Sequence, residues 1–461
     1  MIVMKFGGSS LATAGHLQQV ADLITRADAT PCVVLSAMGD TTDRLFAIAR
    51  AAASDAEQAK RDVGALLDEV RTVAAELLGD LDAVRAELAR LEGDLVLLAR
   101  GIHRQGEASP RALDAFVSHG ERIATAVLTA HLVARGADAI AVDARDVMRT
   151  NDRFGRARPE RGQIRQLAHQ NIGPFVGRGT IVVTQGYVGR TNDGATTTLG
   201  RGGSDWSAAL LGAALGADEL QIWTDVQGVL TCDPRSVPDA RPIATLSPEE
   251  AAELAAFGAR VLHPSTLQPV VDRGIPVTVR DTMRPNGAFT RIARDCAEPT
   301  RGVVALATRE PVQVVTMTSR RMLAASGYLA KLFGVFAELD VPVDLITTAE
   351  VSVAVTIEHD APVGRLIAAL DGLAHVEVTE DCAILAAIGD GLQHTPRVLE
   401  RASRALHPIE PRMVCFGGNS RNLSFVVPRS ERVDALRRLH DEFFHQQPLD
   451  VAAASDEGDR S

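Results

Sequence analysis

The chain has 461 residues, a length typical of two or three domains, and 46% of them are hydrophobic although only 4% are aromatic. The net charge of −11 disfavours nucleic acid as a partner, because no basic patch offsets it. No apolar run reaches membrane-spanning length, and the five cysteines lack metal-binding or redox spacing. We therefore expect a cytoplasmic protein that binds neither membranes nor nucleic acid.

The first predicted element is a strand, Ile2–Phe6, which leads into Gly7, Gly8 and Ser9. Glycines at this place let backbone N–H groups approach a ligand closely, and Lys5 adds a compact positive charge. Only three of the 48 basic residues are lysines, so a lysine here is informative. The segment predicts an anion site, although a strand that simply ends in a Gly-Gly turn would look similar.

Up to about residue 295, short apolar strands alternate with amphipathic helices, a pattern typical of a parallel sheet covered by helices. The predicted strands are Ile2–Phe6, Cys32–Ser36, Ala139–Asp143, Thr180–Thr184, Leu220–Trp223 and Pro276–Val279. The predicted helices include Ala14–Arg26, Arg122–Ala134, Asp205–Leu215 and Pro248–Phe257.

One stretch in this half, Ala56–Arg100, has helical periodicity and no strand signal. It predicts an inserted helical hairpin that serves as a lid or packs against a partner, with no role in the chemistry.

Polar residues follow several of the predicted strands, for example Ser36, and Thr224 with Asp225. Open α/β sheets bind ligands at the carboxyl ends of their strands, so these positions predict a binding edge. The segment Ser118–Glu121 precedes the predicted helix Arg122–Ala134. Glu121 is favourable there beside the helix dipole, and its carboxylate could also meet a substrate ammonium.

The segment Thr196–Asp205 combines hydroxyls, glycines and a helix N-terminus, which together predict an anion site. Arg201 is suited to grip a carboxylate with two N–H donors. Asp205 either caps the helix or contacts the substrate. The segment matches neither a P-loop nor a dinucleotide fingerprint, so ATP use has to be inferred from other features.

Beyond about residue 310 a strand–helix–strand–strand order occurs twice, which predicts two diverged copies of one unit. The first copy comprises Val312–Met317, Tyr328–Glu338, Asp344–Thr347 and Val351–Ile357. The second comprises Ala383–Ile388, Pro396–Ala405, Met413–Cys415 and Leu423–Val427. The closing residues 448–461 are polar and acidic and predict a disordered tail.

Six segments together resemble the aspartate kinase family, and the resemblance covers nearly the whole chain. They are Lys5–Ser10 (KFGGSS), Val117–Glu121 (VSHGE), Met148–Gly155 (MRTNDRFG), Thr196–Asp205 (TTTLGRGGSD), Ile222–Pro234 (IWTDVQGVLTCDP) and Phe257–Pro264 (FGARVLHP). Asp344–Thr356 (DLITTAEVSVAVT) is most similar to the lysine-sensitive monofunctional branch.

The resemblance implies an α/β fold: a parallel-sheet amino-acid-kinase domain with a helical insertion, followed by two α+β ACT domains. The implied bounds are 1–295 for the kinase domain, 312–378 and 379–447 for the ACT domains, and 448–461 for the tail. The implied reaction converts L-aspartate and ATP with Mg²⁺ into 4-phospho-L-aspartate and ADP, the entry step to lysine, threonine and methionine. No covalent nucleophile is needed, since phosphoryl transfer depends on positioning and charge neutralisation.

The resemblance also implies roles for individual residues. Lys5 would bridge the transferring phosphoryl group. Asp205 is also implied to be catalytic and would lie with Glu121 near the substrate ammonium, while metal ligands are not assigned. The residues implied to bind aspartate are Thr42, Glu121, Tyr187, Arg201, Ser204 and Asp205. Those implied to bind the nucleotide are Lys5, Gly7, Gly8, Ser9, Ser36, Thr224, Asp225, Leu230, Arg235 and Arg260.

Three of these positions depart from the family pattern. Arg260 stands where the family usually has a lysine, and a planar fork is not a point charge. Leu230 replaces an aromatic residue expected beside adenine, which loses stacking but keeps apolar contact. Tyr187 stands where phenylalanine is common, a mild change.

Lysine is the implied feedback inhibitor, bound where the ACT domains of a homodimer meet, with threonine as a rival effector. The residues that resemble lysine-contacting positions are Met322, Tyr328, Leu329, Val343, Asp344, Thr348 and Glu350. Asp344 or Glu350 would meet the effector's cationic side chain, although both could simply cap strands. Ala325 departs from the usual serine.

Two other readings stay open from the sequence: another carboxylate or carbamate kinase of the same fold, and a catalytically weak amino-acid sensor. The retained Lys5, Arg201 and Asp205 argue against a decayed enzyme. Membership of a longer fusion also stays open.

Overall fold

The computed structural model describes residues 1–258, 264–297, 301–323 and 325–445, with the backbone alone for 264 and 265. They form two compact units. The first unit contains Met1–Leu230, Pro242–Ala256 and the described residues from 264 to 297. The second contains Thr231–Arg241, residues 257–258 and the described residues from 301 onward.

The first unit is built around an eight-stranded sheet with the order β3-β4-β2-β1-β7-β9-β10-β8, in which only the β9–β10 pair is antiparallel. Its strands, with the separate hairpin β5–β6, are β1 (Ile2–Phe6), β2 (Pro31–Leu35), β3 (Ala139–Val142), β4 (Ile181–Gln185), β5 (Val188–Arg190), β6 (Thr196–Thr198), β7 (Glu219–Thr224), β8 (Thr245–Leu246), β9 (Val277–Asp281) and β10 (Thr290–Ile292). The parallel sheet and its six predicted strands are therefore confirmed.

Helices connect these strands. They are α1 (Ala14–Thr25), α2 (Thr41–Ala52), α3 (Ala56–Leu78), α4 (Arg85–Gln105), α5 (Pro110–Val117), α6 (His119–Ala134), α7 (Arg161–Asn171), α8 (Gly173–Val176), α9 (Gly203–Leu215), α10 (Pro248–Ala256) and α11 (Pro264–Val271). α10 begins with a capping box, in which the Ser247 hydroxyl accepts from the Glu250 N–H and the Glu250 carboxylate accepts from the Ser247 N–H.

The central strands β1 and β2 are buried along their whole length, as expected for parallel strands covered on both faces. Lys5 is the charged residue in these otherwise apolar strands. It lies inside β1, in register with Val34 of β2 on one side and Ile222 of β7 on the other. A lysine at such a place needs a partner to offset its desolvation, which directs attention to the edge of the sheet where β1 ends.

The hairpin α3–α4 corrects one prediction. Both helices bury their apolar stripes in the main core of the first unit, through residues such as Leu66, Leu67 and Leu91. Apolar residues three and four apart make one continuous face on each helix, and that face packs inward. The hairpin is therefore part of the core and not a lid, while its packing against a partner stays a prediction.

The second unit contains a six-stranded antiparallel sheet with the order β12-β13-β11-β14-β16-β15. Its strands are β11 (Ala305–Thr318), β12 (Ile346–Thr348), β13 (Ser352–Glu358), β14 (His375–Ile388), β15 (Met413–Phe416) and β16 (Asn422–Pro428). Its helices are α12 (Tyr328–Glu338), α13 (Val363–Leu370), α14 (Val398–Leu406) and α15 (Arg432–His440).

The two long strands explain the repeat. The end of β11, from Val312 to Thr318, pairs with β13, whereas its beginning pairs with the part of β14 that also contacts β16. The register of β11 against β14 breaks between Arg309 and Val312. This break divides the sheet into two halves, one with β12 and β13 and the other with β15 and β16. Each half holds two helices, and the sequence analysis missed the second in both, α13 and α15.

Membrane-spanning helices are absent from the part of the chain that the structure describes, because no helix there is both long enough and apolar enough.

Candidate active site

A cavity of about 540 Å³ lies in the first unit, where β1, β2 and β4 end. Six segments bound it: the end of β1 with its following turn, the turn after β2 with the start of α2, the start of α6, the loop at Gly155, the turn after β4, and the loop that leads into α9. The residues lining it are Lys5, Gly8, Ser36, Ala37, Gly39, Thr42, Phe46, Glu121, Gly155, Tyr187, Gly200, Arg201, Gly202, Gly203, Ser204 and Asp205. Every residue that the sequence assigned to aspartate lines this cavity, together with the phosphate-side residues Lys5, Gly8 and Ser36.

Two opposite charges meet at its inner wall. The Lys5 ammonium lies 2.7 Å from Asp205 Oδ1, and the two side chains are only 11% and 14% exposed. Asp205 is in the first turn of α9, where a carboxylate is favourable beside the helix dipole. The tertiary structure thus joins two predicted residues that are 200 positions apart in the sequence.

The N-terminus of α9 faces the cavity through Gly203, Ser204 and Asp205. Backbone N–H groups at such an end attract anions. Arg201 precedes the helix, is exposed, and has no ion-pair partner among the described residues, so its guanidinium is available to a carboxylate ligand. This combination can hold two separate negative groups.

Glycine is required where segments cross at the cavity wall. A Cβ on Gly8 would lie 2.9 Å from the carbonyl oxygen of Ala37, so the turn after β1 packs directly on the turn after β2. A Cβ on Gly186 would lie 2.6 Å from Ser204 Cβ, which brings the end of β4 against the start of α9. Side chains at either position would push the walls of the cavity apart.

Glu121 is fully enclosed at the start of α6. One carboxylate oxygen accepts from the Ala37 N–H at 3.2 Å, and the other has no hydrogen-bond partner among the described residues. Burial raises the pKa of Glu121 to about 8. The carboxyl is therefore largely protonated near neutral pH until a cation, such as a substrate ammonium, enters beside it.

Asp114 is a buried residue that sequence reasoning missed. Its carboxylate accepts from the N–H groups of Gly155 and Thr198, each at 2.8 Å, and from the Thr198 hydroxyl at 2.7 Å. It thereby ties α5 to β6 and to the loop that carries Gly155 into the cavity. Burial raises the pKa of Asp114, and the three hydrogen bonds oppose that rise.

Tyr187 has a backbone φ of 66°, in the left-handed region that non-glycine residues rarely adopt. Its N–H donates to the Ser207 hydroxyl at 3.0 Å, and its carbonyl accepts from the Leu199 N–H. These bonds fix the strained residue between β4 and α9, with its ring beside the cavity.

Phe46 is a second residue that the sequence analysis missed, although its spacing from Thr42 could have indicated it. It follows Thr42 by four positions on α2, so both side chains lie on the same helix face and both line the cavity. Ala37, Gly39, Gly155 and Gly200 were also missed, because backbone at a cavity wall carries no distinctive residue type.

The remaining nucleotide predictions are not among these lining residues. Thr224 and Asp225 end β7, and the Thr224 hydroxyl donates to Asp225. Leu230 is half-buried beside Pro242. Gly7 donates its N–H to the Trp223 carbonyl and Ser9 is exposed. Their nucleotide role stays a prediction.

Two further nucleotide predictions have other positions. Arg235 belongs to the second unit, where it pairs with Asp233, and its role also stays a prediction. Arg260 lies outside the described residues.

In the second unit, the predicted effector residue Asp344 pairs with Arg309 through Oδ1 at 2.7 Å, while Oδ2 is buried without a hydrogen-bond partner among the described residues. Burial raises the pKa of Asp344. The Tyr328 hydroxyl donates to the Leu373 carbonyl and is already used inside the core. Met322 and Val343 are half-buried, and Leu329, Thr348 and Glu350 are exposed.

The cavity offers few protein ligands for a divalent cation. Asp205 and Glu121 are the carboxylates that line it within the described part of the chain. Mg²⁺ commonly takes one or two carboxylates and completes its shell with phosphate oxygens and water, so Asp205 with a bound polyphosphate is sufficient.

Comparison with known families gives two matches. The profile of the amino acid kinase family matches residues 1–281, and an ACT domain profile matches residues 385–443.

Among curated proteins, the chain is 38% identical to the lysine-sensitive aspartokinase 3 of Escherichia coli K12, over 96% of this chain and 99% of that protein. It is 35% identical to the chloroplastic aspartokinase 1 of Arabidopsis thaliana, over 97% of this chain and 81% of that protein.

Two solved structures are similar along nearly their whole length. One is E. coli aspartokinase III in complex with aspartate and ADP in the R-state, with a TM-score of 0.82, 37% identity and coverage of 96% and 100% of the two chains. The other is the same enzyme with lysine and aspartate in the T-state, with a TM-score of 0.78, 38% identity and coverage of 96% and 99%.

Proposed function

The chain belongs to the aspartokinase branch of the amino acid kinase family, and on this basis we propose that it transfers the γ-phosphoryl group of ATP to the side-chain carboxylate of L-aspartate, under inhibition by L-lysine. It is a kinase with a carboxyl acceptor. The product is 4-phospho-L-aspartate, the first intermediate of lysine, threonine and methionine biosynthesis.

One observation carries the proposal for the site: the nearly buried Lys5–Asp205 pair at 2.7 Å, at the wall of a cavity that also holds Arg201, which has no ion-pair partner among the described residues. The Lys5 ammonium offers a fixed positive charge where charge develops on the transferring phosphoryl group. The β-carboxylate of aspartate is already a nucleophile, so no general base is needed, and positioning supplies most of the catalysis.

Arg201 and Glu121 suit the two ends of an amino acid. Arg201 would take the α-carboxylate with two N–H donors, and the Glu121 carboxyl would meet the α-ammonium. Thr42, Tyr187 and Ser204 would close the pocket around the substrate. The backbone N–H groups of Ser204 and Asp205 at the start of α9 would face the phosphoryl group, whereas the Gly203 N–H already donates to the Gly200 carbonyl.

Mg²⁺ would neutralise charge on the phosphate oxygens of ATP, and Asp205 is the residue that would hold it. The nucleotide would extend from Lys5, Gly7, Gly8, Ser9 and Ser36 toward Thr224, Asp225 and Leu230, while nucleotide roles for Arg235 and Arg260 stay predictions from the sequence. Leu230 offers adenine an apolar surface without stacking.

For regulation, we propose that the kinase domain occupies residues 1–295 and that the two ACT domains, 312–378 and 379–447, bind lysine where two copies of the chain meet. Asp344 Oδ2, which has no hydrogen-bond partner within the described part of the chain, supports this, because a buried carboxylate oxygen favours a cationic ligand. The exposed strand β12 also supports a dimer, since all three of its residues are accessible at a sheet edge.

We place the protein in the cytoplasm, in keeping with its five free cysteines.

The test is ADP formation from MgATP by the full chain, with L-aspartate as the acceptor and with or without L-lysine. We expect turnover that requires L-aspartate and falls when L-lysine is added. L-Glutamate is the matched control acceptor, since it differs by one methylene. Turnover with L-glutamate alone would identify another carboxylate kinase, and absence of turnover would favour the sensor reading.

A further inference from the structure

Three side chains that can bind a metal ion meet at the end of α15, in the second unit. His440 is the last residue of that helix, and Asp441 and His445 belong to the short π-helical turn Asp441–His445 that follows it. One ring nitrogen of each histidine and one carboxylate oxygen of Asp441 all lie within 4.8 Å of one another. The proposed kinase reaction uses none of the three side chains.

Two of these atoms already have the separation that a shared ion requires. His445 Nδ1 lies 3.2 Å from Asp441 Oδ1, and ligands of a tetrahedral ion at about 2.1 Å are about 3.4 Å apart. The side chains of His445 and Asp441 are 31% and 68% exposed, so an ion can reach them from solvent. A hydrogen bond between residues four apart in a helix would look the same, so this pair alone does not identify a site.

His440 distinguishes the cluster from an ordinary surface pair. Its side chain is fully buried, and its Nδ1 has no hydrogen-bond partner among the described residues. A buried polar atom without a partner loses its hydration and gains no contact in exchange. The ring of His445 lies edge-on to the ring of His440, with 5.2 Å between the centroids. One of the two accessible ligands therefore covers the buried imidazole.

The other ring nitrogen of His440 is already held. Nε2 lies 3.0 Å from the hydroxyl oxygen of Thr231, which also accepts from the Arg241 N–H at 3.0 Å. A hydroxyl oxygen has two lone pairs, so Thr231 can accept from both groups, with the proton of His440 on Nε2. Metal-bound histidines have this arrangement, in which the second ring N–H donates to a fixed oxygen. The nitrogen that is left for an ion is Nδ1.

The charges around His440 are of both signs. Burial lowers the pKa of His440, His445 and Arg241 lower it further, and Asp441 and Asp239 raise it. The imidazole is therefore mostly neutral near neutral pH, which is the form that binds metals. These charges include two carboxylates and one guanidinium, so the surroundings do not disfavour a cation. The C-terminal end of a helix such as α15 also attracts positive charge.

From this arrangement we propose that His440 Nδ1, the Asp441 carboxylate and His445 Nδ1 bind a divalent transition-metal ion, for which Zn²⁺ is the best match. Two imidazoles with one carboxylate suit Zn²⁺, whereas Mg²⁺ and Ca²⁺ prefer oxygen ligands alone. Three protein ligands leave the fourth position of a tetrahedral shell to water. The bound ion ties the turn after α15 to the segment that carries Thr231.

The experiment measures Zn²⁺ binding to the full chain by calorimetry, without nucleotide and after a chelator has removed metals carried over from purification. We expect saturable binding of Zn²⁺ that excess Mg²⁺ does not displace. His445→Gln and Asp441→Asn should each lower the Zn²⁺ affinity at least about tenfold, since loss of an outer-shell partner alone already costs that much. His394→Gln is the matched control, because His394 is an exposed histidine of the second unit outside the cluster.

Both variants replace accessible side chains, so the result does not depend on a substitution of the buried His440, and circular dichroism checks that each variant is folded. Co²⁺ in place of Zn²⁺ gives a second readout, because its visible absorption distinguishes nitrogen and oxygen ligands from thiolates. Absorption bands of a tetrahedral nitrogen and oxygen site that the two variants lose and His394→Gln keeps would support the proposal. Zn²⁺ affinity that both variants retain, or no saturable binding by the folded parent, would overturn it.

Discussion

At the scale of single residues, Lys5 and Asp205 are a nearly buried ion pair, and such pairs are weak evidence for stability. The desolvation of two charges offsets most of their attraction, so replacement by apolar residues often costs little. Their place at the end of β1 and the start of α9, against a cavity, is better explained by chemistry than by folding.

For Lys5→Ala, we expect kcat to fall at least about a hundredfold, the scale of removing one preorganised charge donor. Steady-state kinetics with MgATP and L-aspartate measure it. Lys60→Ala is the matched control, because Lys60 is an exposed lysine on α3. Activity of Lys5→Ala within a few-fold of the parent, with Lys60→Ala unchanged, would remove Lys5 from the mechanism.

Glu121 predicts a pH dependence of stability. Its pKa is raised by burial to about 8 in the folded protein, so the folded state holds a proton that the unfolded state releases at lower pH. The contribution of Glu121 to the free energy of unfolding is therefore fully present below its ordinary pKa and is lost as pH rises through about 8.

In denaturant titrations without substrate, the free energy of unfolding of the parent should fall by at least about 1 kcal/mol more than that of Glu121→Gln between about pH 5 and about pH 8, the value of roughly one pKa unit. Parallel curves for the two proteins would show that Glu121 is ionised in the folded state.

At the scale of elements, Asp114 connects α5, β6 and the loop at Gly155 through three hydrogen bonds. Gly155 and Gly200 both line the active-site cavity, and a Cβ on Gly200 would lie 2.9 Å from the Gly155 carbonyl oxygen. The carboxylate therefore positions two backbone segments of the cavity without touching a ligand itself.

For Asp114→Asn, we expect KM for L-aspartate to rise about tenfold with a smaller change in kcat, since the amide loses an acceptor and turns a donor toward N–H groups. The free energy of unfolding should fall by about 1–3 kcal/mol. Asp152→Asn, an exposed position in the same loop, is the control. A loss of stability with an unchanged KM would reduce Asp114 to a structural role.

At the scale of the whole molecule, the proposed regulation assigns the binding of lysine to the second unit. Asp344 keeps one carboxylate oxygen on Arg309 and leaves the other unpartnered among the described residues, which suits an incoming ammonium group. Inhibition requires that lysine bind one conformation of the protein more tightly than another.

For Asp344→Asn, we expect the concentration of L-lysine that halves activity to rise at least about tenfold with kcat unchanged, because a charge-assisted contact is lost. Inhibition curves on the parent and the variant measure it. Asp340→Asn is the control, since Asp340 is exposed and its φ of 54° suits asparagine. Unchanged inhibition in Asp344→Asn would place the effector elsewhere or favour threonine.

The sequence by itself determined where six strands of the first unit lie, the β-α-β-β repeat and the residue types of the candidate site, because periodicity and glycine-rich turns are local properties. It also located Lys5, Arg201 and Asp205 through motifs that are continuous in the chain. Only the tertiary structure decided that Lys5 pairs with Asp205, that α3–α4 belongs to the core, and that Asp114 and Phe46 serve the cavity. Burial, desolvation and the pKa of a group such as Glu121 depend on atoms brought together from distant segments, and no local pattern encodes them.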